Sequence, residues 1–143
     1  MTSRRSLITG LGATALVAGL GGIAHAQPRM PAALIRRSLK LQHLHTGEKI
    51  DIVYHQNGRY LPDALSTMNR FLRDHRDGSV HPIDVELIDF LHDLTVELGT
   101  TKRIGIVCGY RSPRSNEFLR KTSTGVAKRS LHLEGRALDI RVP

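Results

Sequence analysis

Near its C-terminus the 143-residue chain reads Ser130-Leu131-His132-Leu133-Glu134-Gly135-Arg136-Ala137-Leu138-Asp139, with an imidazole and a carboxylate on either side of a glycine. Such a pair either shares a hydrogen bond or holds one metal ion between its two side chains. Two ligands of one zinc have donor atoms only about 3–3.5 Å apart, because each bond is near 2.0–2.1 Å. A straight strand would part His132 and Asp139 by about 23 Å and put them on opposite faces. A helix would give them one face but keep their Cα atoms about 10 Å apart. A turn is therefore required. With Gly135-Arg136 as the central pair of a hairpin, glycine first as a type II′ turn prefers, His132 pairs directly with Asp139. Cross-strand partners have Cβ atoms about 4.5–5.5 Å apart, which suits either chemistry. Spacing alone leaves both readings open.

The flanking sequence must hold that turn in place. Beyond it, Leu138, Ile140 and Val142 alternate with Ala137, Asp139 and Arg141, so an aliphatic face packs inward and Asp139 faces outward. Ile104–Cys108 is β-branched and apolar, a buried strand, in which Cys108 reads as a small core residue and not a nucleophile. As the sole cysteine it forms no disulfide within the chain. Gly109-Tyr110-Arg111 leaves that strand, and Ser112 and Pro113 open a short helix to about Lys121, as cap and first helical residue. Two helices precede the strand. One starts at Pro62-Asp63, lines Leu65, Met68, Phe71 and Leu72 along one face, and ends at Asp77-Gly78. The other is capped by Asp84, carries Leu87, Ile88, Leu91, Leu94 and Leu98, and closes at Gly99. Earlier still, Leu39–His45 and Lys49–His55 form a hairpin about Thr46-Gly47, and Asn57-Gly58 marks a further tight turn. This order predicts an α+β domain over 39–143, a small antiparallel sheet with helices packed on one side.

Ser130-x-His132-x-x-Gly135-x-Ala137-x-Asp139 resembles the zinc motif of the lysostaphin / D-Ala-D-Ala metallopeptidase / hedgehog superfamily. The resemblance implies that fold, a zinc cofactor, and His132 and Asp139 as two of three protein ligands. Gly109-Tyr110-Arg111-Ser112-Pro113, followed by Asn116, is similar to a second loop of that family. The likeness gives Arg111 the role of steadying a substrate carboxylate or a developing oxyanion. Ser130 is implied in substrate binding, against loop capping as its ordinary role. Glu134, at an unspecified position of the motif, is expected at the exposed turn. His45-Thr46-Gly47-Glu48, Asn57-Gly58-Arg59-Tyr60 and Leu72-Arg73-Asp74-His75-Arg76 resemble the murein endopeptidase K branch. That branch implies a zinc hydrolase opening the peptide cross-links of peptidoglycan. The motif serves equally a D,D- or L,D-carboxypeptidase. The family's third ligand, a histidine of a later His-x-His or His-x-Asp segment, has no match up to Pro143. It is expected beyond that residue, in an extended form of a truncated chain; a chain without it reads as a non-catalytic peptidoglycan-binding remnant.

Other histidines invite the same scrutiny. His43 and His45 share a strand face at a spacing that can chelate a second ion, in a segment the resemblance already explains structurally. His75, His81 and His92 lie among charged residues and read as solvated. The first 26 residues combine a basic start, a Gly- and Ala-rich apolar stretch and an Ala-His-Ala end, a secretory signal cleaved after Ala26 rather than an anchor. Ser3-Arg4-Arg5-Ser6-Leu7 within it points to the twin-arginine route and a periplasmic protein. Residues 27–38 then read as a tether. The net charge of +8 falls to +6 once Arg4 and Arg5 are removed. Scattered basic residues without aromatic interleaving argue against nucleic acid and for the anionic cell wall as partner. A monomer is the expected state.

Overall fold

The computed structural model describes residues 36–143, so the signal and most of the tether lie outside the described residues. Strands β1 (Arg37–His43) and β2 (Lys49–Gln56) form the predicted hairpin, and β3 (Arg59–Tyr60) folds back on β2 through Asn57-Gly58. Both residues of that turn have positive φ, 52° and 74°, as a tight hairpin demands. Helices α1 (Pro62–Phe71) and α2 (Val85–Glu97) follow, then β4 (Ile104–Cys108), α3 (Pro113–Thr122), a 3-10 helix over Leu131–Glu134, and β5 (Asp139–Arg141).

The five-stranded sheet has the order β3-β2-β1-β4-β5. It is mixed, not purely antiparallel as expected: β1 and β4 run parallel, Leu41 opposite Ile104 and His43 opposite Ile106. The reason is the long connection between them, which carries α1 and α2 and returns the chain to the starting end of the sheet. Leu39, Leu41 and His43 of β1 are buried, while Lys40 between them and Ser38 before them are exposed. One apolar cluster joins that face to Tyr54, Ile104 and Ile106, to Met68 and Phe71 of α1, and to Ile88 and Leu91 of α2.

Capping explains where the helices start. Pro62 sits in the first turn of α1, Asp84 accepts from the Glu86 N–H, and Ser112 Oγ accepts from the Ser115 N–H at 3.1 Å. α1 stops at Phe71, six residues before the predicted end. The buried Asp74 carboxylate takes the N–H groups of Arg76 and Ser112, both at 2.8 Å, and this local turn displaces another helical turn.

The expected hairpin about Gly135-Arg136 does not form. Gly135 is instead the left-handed cap (φ 65°) of the 3-10 helix, whose end is closed by the Arg136 N–H on Leu131 O. β5 pairs with β4, not with residues 130–134. The predicted alternation holds for Leu138 and Ile140, which pack against the core, and for the exposed Asp139; Val142, expected on the inward face, lies past the end of β5 and is exposed.

Candidate metal centre

His132 and Asp139 do meet, though by another route than a hairpin. The 3-10 helix offers His132 from one side and β5 offers Asp139 from the other, with Nε2 and Oδ2 3.4 Å apart. His132 is 92% buried and Asp139 about half exposed, so the pair stands at the mouth of the core. Backbone groups hold the imidazole. Its Nδ1 lies 2.8 Å from the carbonyl oxygen of Gly109. A carbonyl only accepts, so Nδ1 carries the hydrogen and Nε2 is left with its lone pair facing Asp139. The Arg111 N–H donates to His132 O at 3.1 Å, tying the Gly109-Tyr110-Arg111 loop to the 3-10 helix.

A third donor stands beside them. Cys108 Sγ, His132 and an Asp139 oxygen all offer ligand atoms within 4.8 Å of one another. Cys108 is buried as a small core residue would be, but its sulfur faces the site. The cause is a register shift in the β4–β5 ladder between Ile106 and Cys108. Ile106 opposes Ile140 on the core face, so an unbroken ladder would set Val107 against Asp139. The bulge sets Cys108 there, which re-aims its side chain toward the carboxylate. No local residue pattern announces a bulge of this kind.

Burial alone raises the Cys108 thiol, but its hydrogen bond with His132, the His132 charge and Arg111 together bring it below the ordinary thiol value. His132 is raised in turn, first by its hydrogen bond with Cys108 and against the cost of burial. Arg111 completes the group: Nη2 lies 3.6 Å from Cys108 Sγ and 3.8 Å from Asp139 Oδ2, and Nη1 lies 3.5 Å from Asn116 Oδ1. Its Nε is buried with no hydrogen-bond partner among the described residues.

Ser130, the other predicted binding residue, precedes the 3-10 helix and caps it through its carbonyl, which accepts from the Leu133 N–H; its hydroxyl makes no cap bond. Glu134 is exposed and pairs loosely with Arg136, as its place at the turn suggested. The further ligand expected past Pro143 lies outside the described residues.

The histidines read as solvated are engaged. His81 stacks on Tyr110 with ring centroids 4.8 Å apart, His92 Nδ1 meets Ser38 O at 3.0 Å, and His75 stacks on His45 at 4.2 Å. His43 and His45 do not chelate as a strand pair, since β1 ends at His43 and its Nδ1 accepts the N–H groups of His45 and Thr46.

The donor set fits zinc. Imidazole, carboxylate and thiolate are its ordinary ligands, the His132–Asp139 separation matches two donors on one ion, and the Gly109 carbonyl orients the imidazole as metal-bound histidines require.

The sequence profile described as "Peptidoglycan L,D-endopeptidase MepK" matches residues 31–143. A protein of Escherichia coli (strain K12) named "Peptidoglycan L,D-endopeptidase MepK" is 37% identical over 130 residues, covering 86% of this chain and 71% of its own. A Haemophilus influenzae protein named "Probable peptidoglycan L,D-endopeptidase MepK" is 31% identical over 131 residues, covering 86% and 70%. No solved structure matches significantly.

Proposed function

The chain belongs to the peptidoglycan L,D-endopeptidase MepK family, and from that premise we propose that it is a zinc-dependent murein endopeptidase hydrolysing peptide cross-links of peptidoglycan. The observation that carries the metal reading is the 3.4 Å approach of His132 Nε2 to Asp139 Oδ2, with Nδ1 locked on the Gly109 carbonyl. His132 and Asp139 would hold the ion. Zinc, when bound, supplies a Lewis acid for the scissile carbonyl and a water activated at neutral pH.

The chain's own residues do the rest. The Gly109 carbonyl keeps the neutral His132 ring in the tautomer whose Nε2 lone pair can bind metal. Arg111, largely buried between Asp139 and Asn116, points a permanent cation at the site. Negative charge on the substrate carboxylate or the carbonyl oxygen is stabilised there more strongly than in open water. The half-exposed Asp139 leaves the site open to a large polymer, as a cell-wall substrate needs.

The twin-arginine leader supports export, and the +6 charge of residues 27–143 supports attraction to the anionic wall. We place the protein in the periplasm, as a monomer acting on peptide stems. The test is a digest of purified cross-linked muropeptides, L,D and D,D linkages side by side. Wild type should shorten the L,D dimers, and His132→Ala should leave them intact. Equal survival of dimers with both proteins would overturn the endopeptidase reading, and release of terminal residues alone would mark a carboxypeptidase.

A further inference from the structure

We propose that Cys108 is itself a metal ligand, so that this site takes its ion through sulfur, nitrogen and oxygen; the inference rests on the zinc reading above. Three independent features converge on it. The β4–β5 bulge places Cys108 directly opposite Asp139. The sulfur, the imidazole nitrogen and the carboxylate oxygen lie within 4.8 Å of one another. The buried imidazole has its Nδ1 taken by a backbone carbonyl.

The last feature separates two roles a cysteine can play beside a histidine and an aspartate. In a nucleophile relay each imidazole nitrogen serves one partner, the thiol on one side and the carboxylate on the other. Here Nδ1 is occupied by Gly109 O, so Nε2 must serve both the sulfur and the carboxylate. Donors converging on one point describe an ion's place, not a relay. Sulfur and nitrogen on one zinc stand about 3.6 Å apart, given bonds near 2.3 and 2.05 Å. The three donors already lie within 4.8 Å of one another.

Charge favours the set as well. A thiolate and a carboxylate balance a divalent ion, and Arg111 Nη2 donates to the sulfur at 3.6 Å and forms an ion pair with the carboxylate at 3.8 Å. Sulfur also tilts selection toward zinc and cobalt and away from magnesium, calcium and manganese.

Cobalt(II) titration of the purified full chain tests this without a substrate. Thiolate ligation gives an intense near-ultraviolet sulfur-to-cobalt charge-transfer band, and Cys108 is the only thiol present. Wild type should show that band together with the visible ligand-field bands. Cys108→Ser should lose the charge-transfer band and keep the visible ones, while His132→Ala should lose both. Visible bands without the charge-transfer band in wild type would overturn the role of Cys108 and leave the His132–Asp139 reading standing. No cobalt absorption at all would overturn both.

Discussion

Two clusters, each built around a buried histidine, lie at the ends of neighbouring strands, and they differ in what the backbone does to one nitrogen. At the end of β1, His43 is 99% buried and its Nδ1 accepts the N–H groups of His45 and Thr46. Its hydrogen is therefore on Nε2, which is buried with no partner among the described residues. Beyond β4, His132 has the opposite arrangement, with Nδ1 as donor to a carbonyl and Nε2 as lone pair. The first ring can fill space and meet His75 edge to face, but it has no lone pair to give. The second can bind an ion. Backbone hydrogen bonding, more than the number of nearby histidines, decides which cluster is chemical.

The sharpest way to break this comparison is to remove each ring in turn. His132→Ala should abolish both metal binding and muropeptide hydrolysis with the fold retained by circular dichroism. His43→Ala should leave metal stoichiometry intact and cost about 2 kcal/mol of stability in urea unfolding. Loss of metal with the second variant would sink the distinction.

The next effect concerns the arginines. Arg76 faces the first cluster and helps hold His75 neutral, whereas Arg111 faces the donors of the second. Arg111→Ala should cut kcat/KM about 100-fold while metal content stays unchanged. A normal rate would place Arg111 outside the reaction.

Glycines extend the contrast. A Cβ on Gly135, which caps the 3-10 helix carrying His132, would stand 2.3 Å from Pro82 O at a φ of 65°. Gly47, in the turn after His43, also has positive φ but nothing within 4 Å. Gly135→Ala should cost about 3 kcal/mol and weaken metal binding, and Gly47→Ala only about 1 kcal/mol. Thermal melts with and without zinc separate the two.

The smallest effect is in pH. His75 is held down to about 4, first by burial and then by the Arg76 charge. Above pH 6.5 the ring is neutral whether folded or not. As pH falls from 6.5 toward 4, the unfolded chain takes the proton and the folded one does not, so stability declines. The part-exposed ring limits that loss to about 1 kcal/mol. His75→Phe should flatten the acid limb of a stability profile; an unchanged slope would assign it to other groups.

Local signals carried most of the elements. Asp84 and Ser112 capped their helices as their side chains suggested, and Asn57-Gly58 turned as its dipeptide requires. What failed was partnership. Gly135 serves a left-handed cap as well as a II′ turn, and only the Asp84 N–H on Gly135 O, contributed by a segment fifty residues away, favours the cap. Leu138 and Ile140 declared an inward face without saying which strand they would join. His132 and Asp139 were legible because their motif is compact. Cys108 was not, because a bulge is a property of two strands and its sequence shows only an apolar run ending in a small residue.

The parallel pairing of β1 with β4 has a kinetic consequence. Leu41 and Ile104 can join only after the chain between them has looped around both helices, and β5 has no neighbour until β4 is seated. Contacts so distant in sequence form slowly. Cys108 and Asp139 ride on those last two strands, so the donors assemble at the end of folding. An unfinished chain then offers an ion only scattered groups, and metal capture reports that the domain has closed.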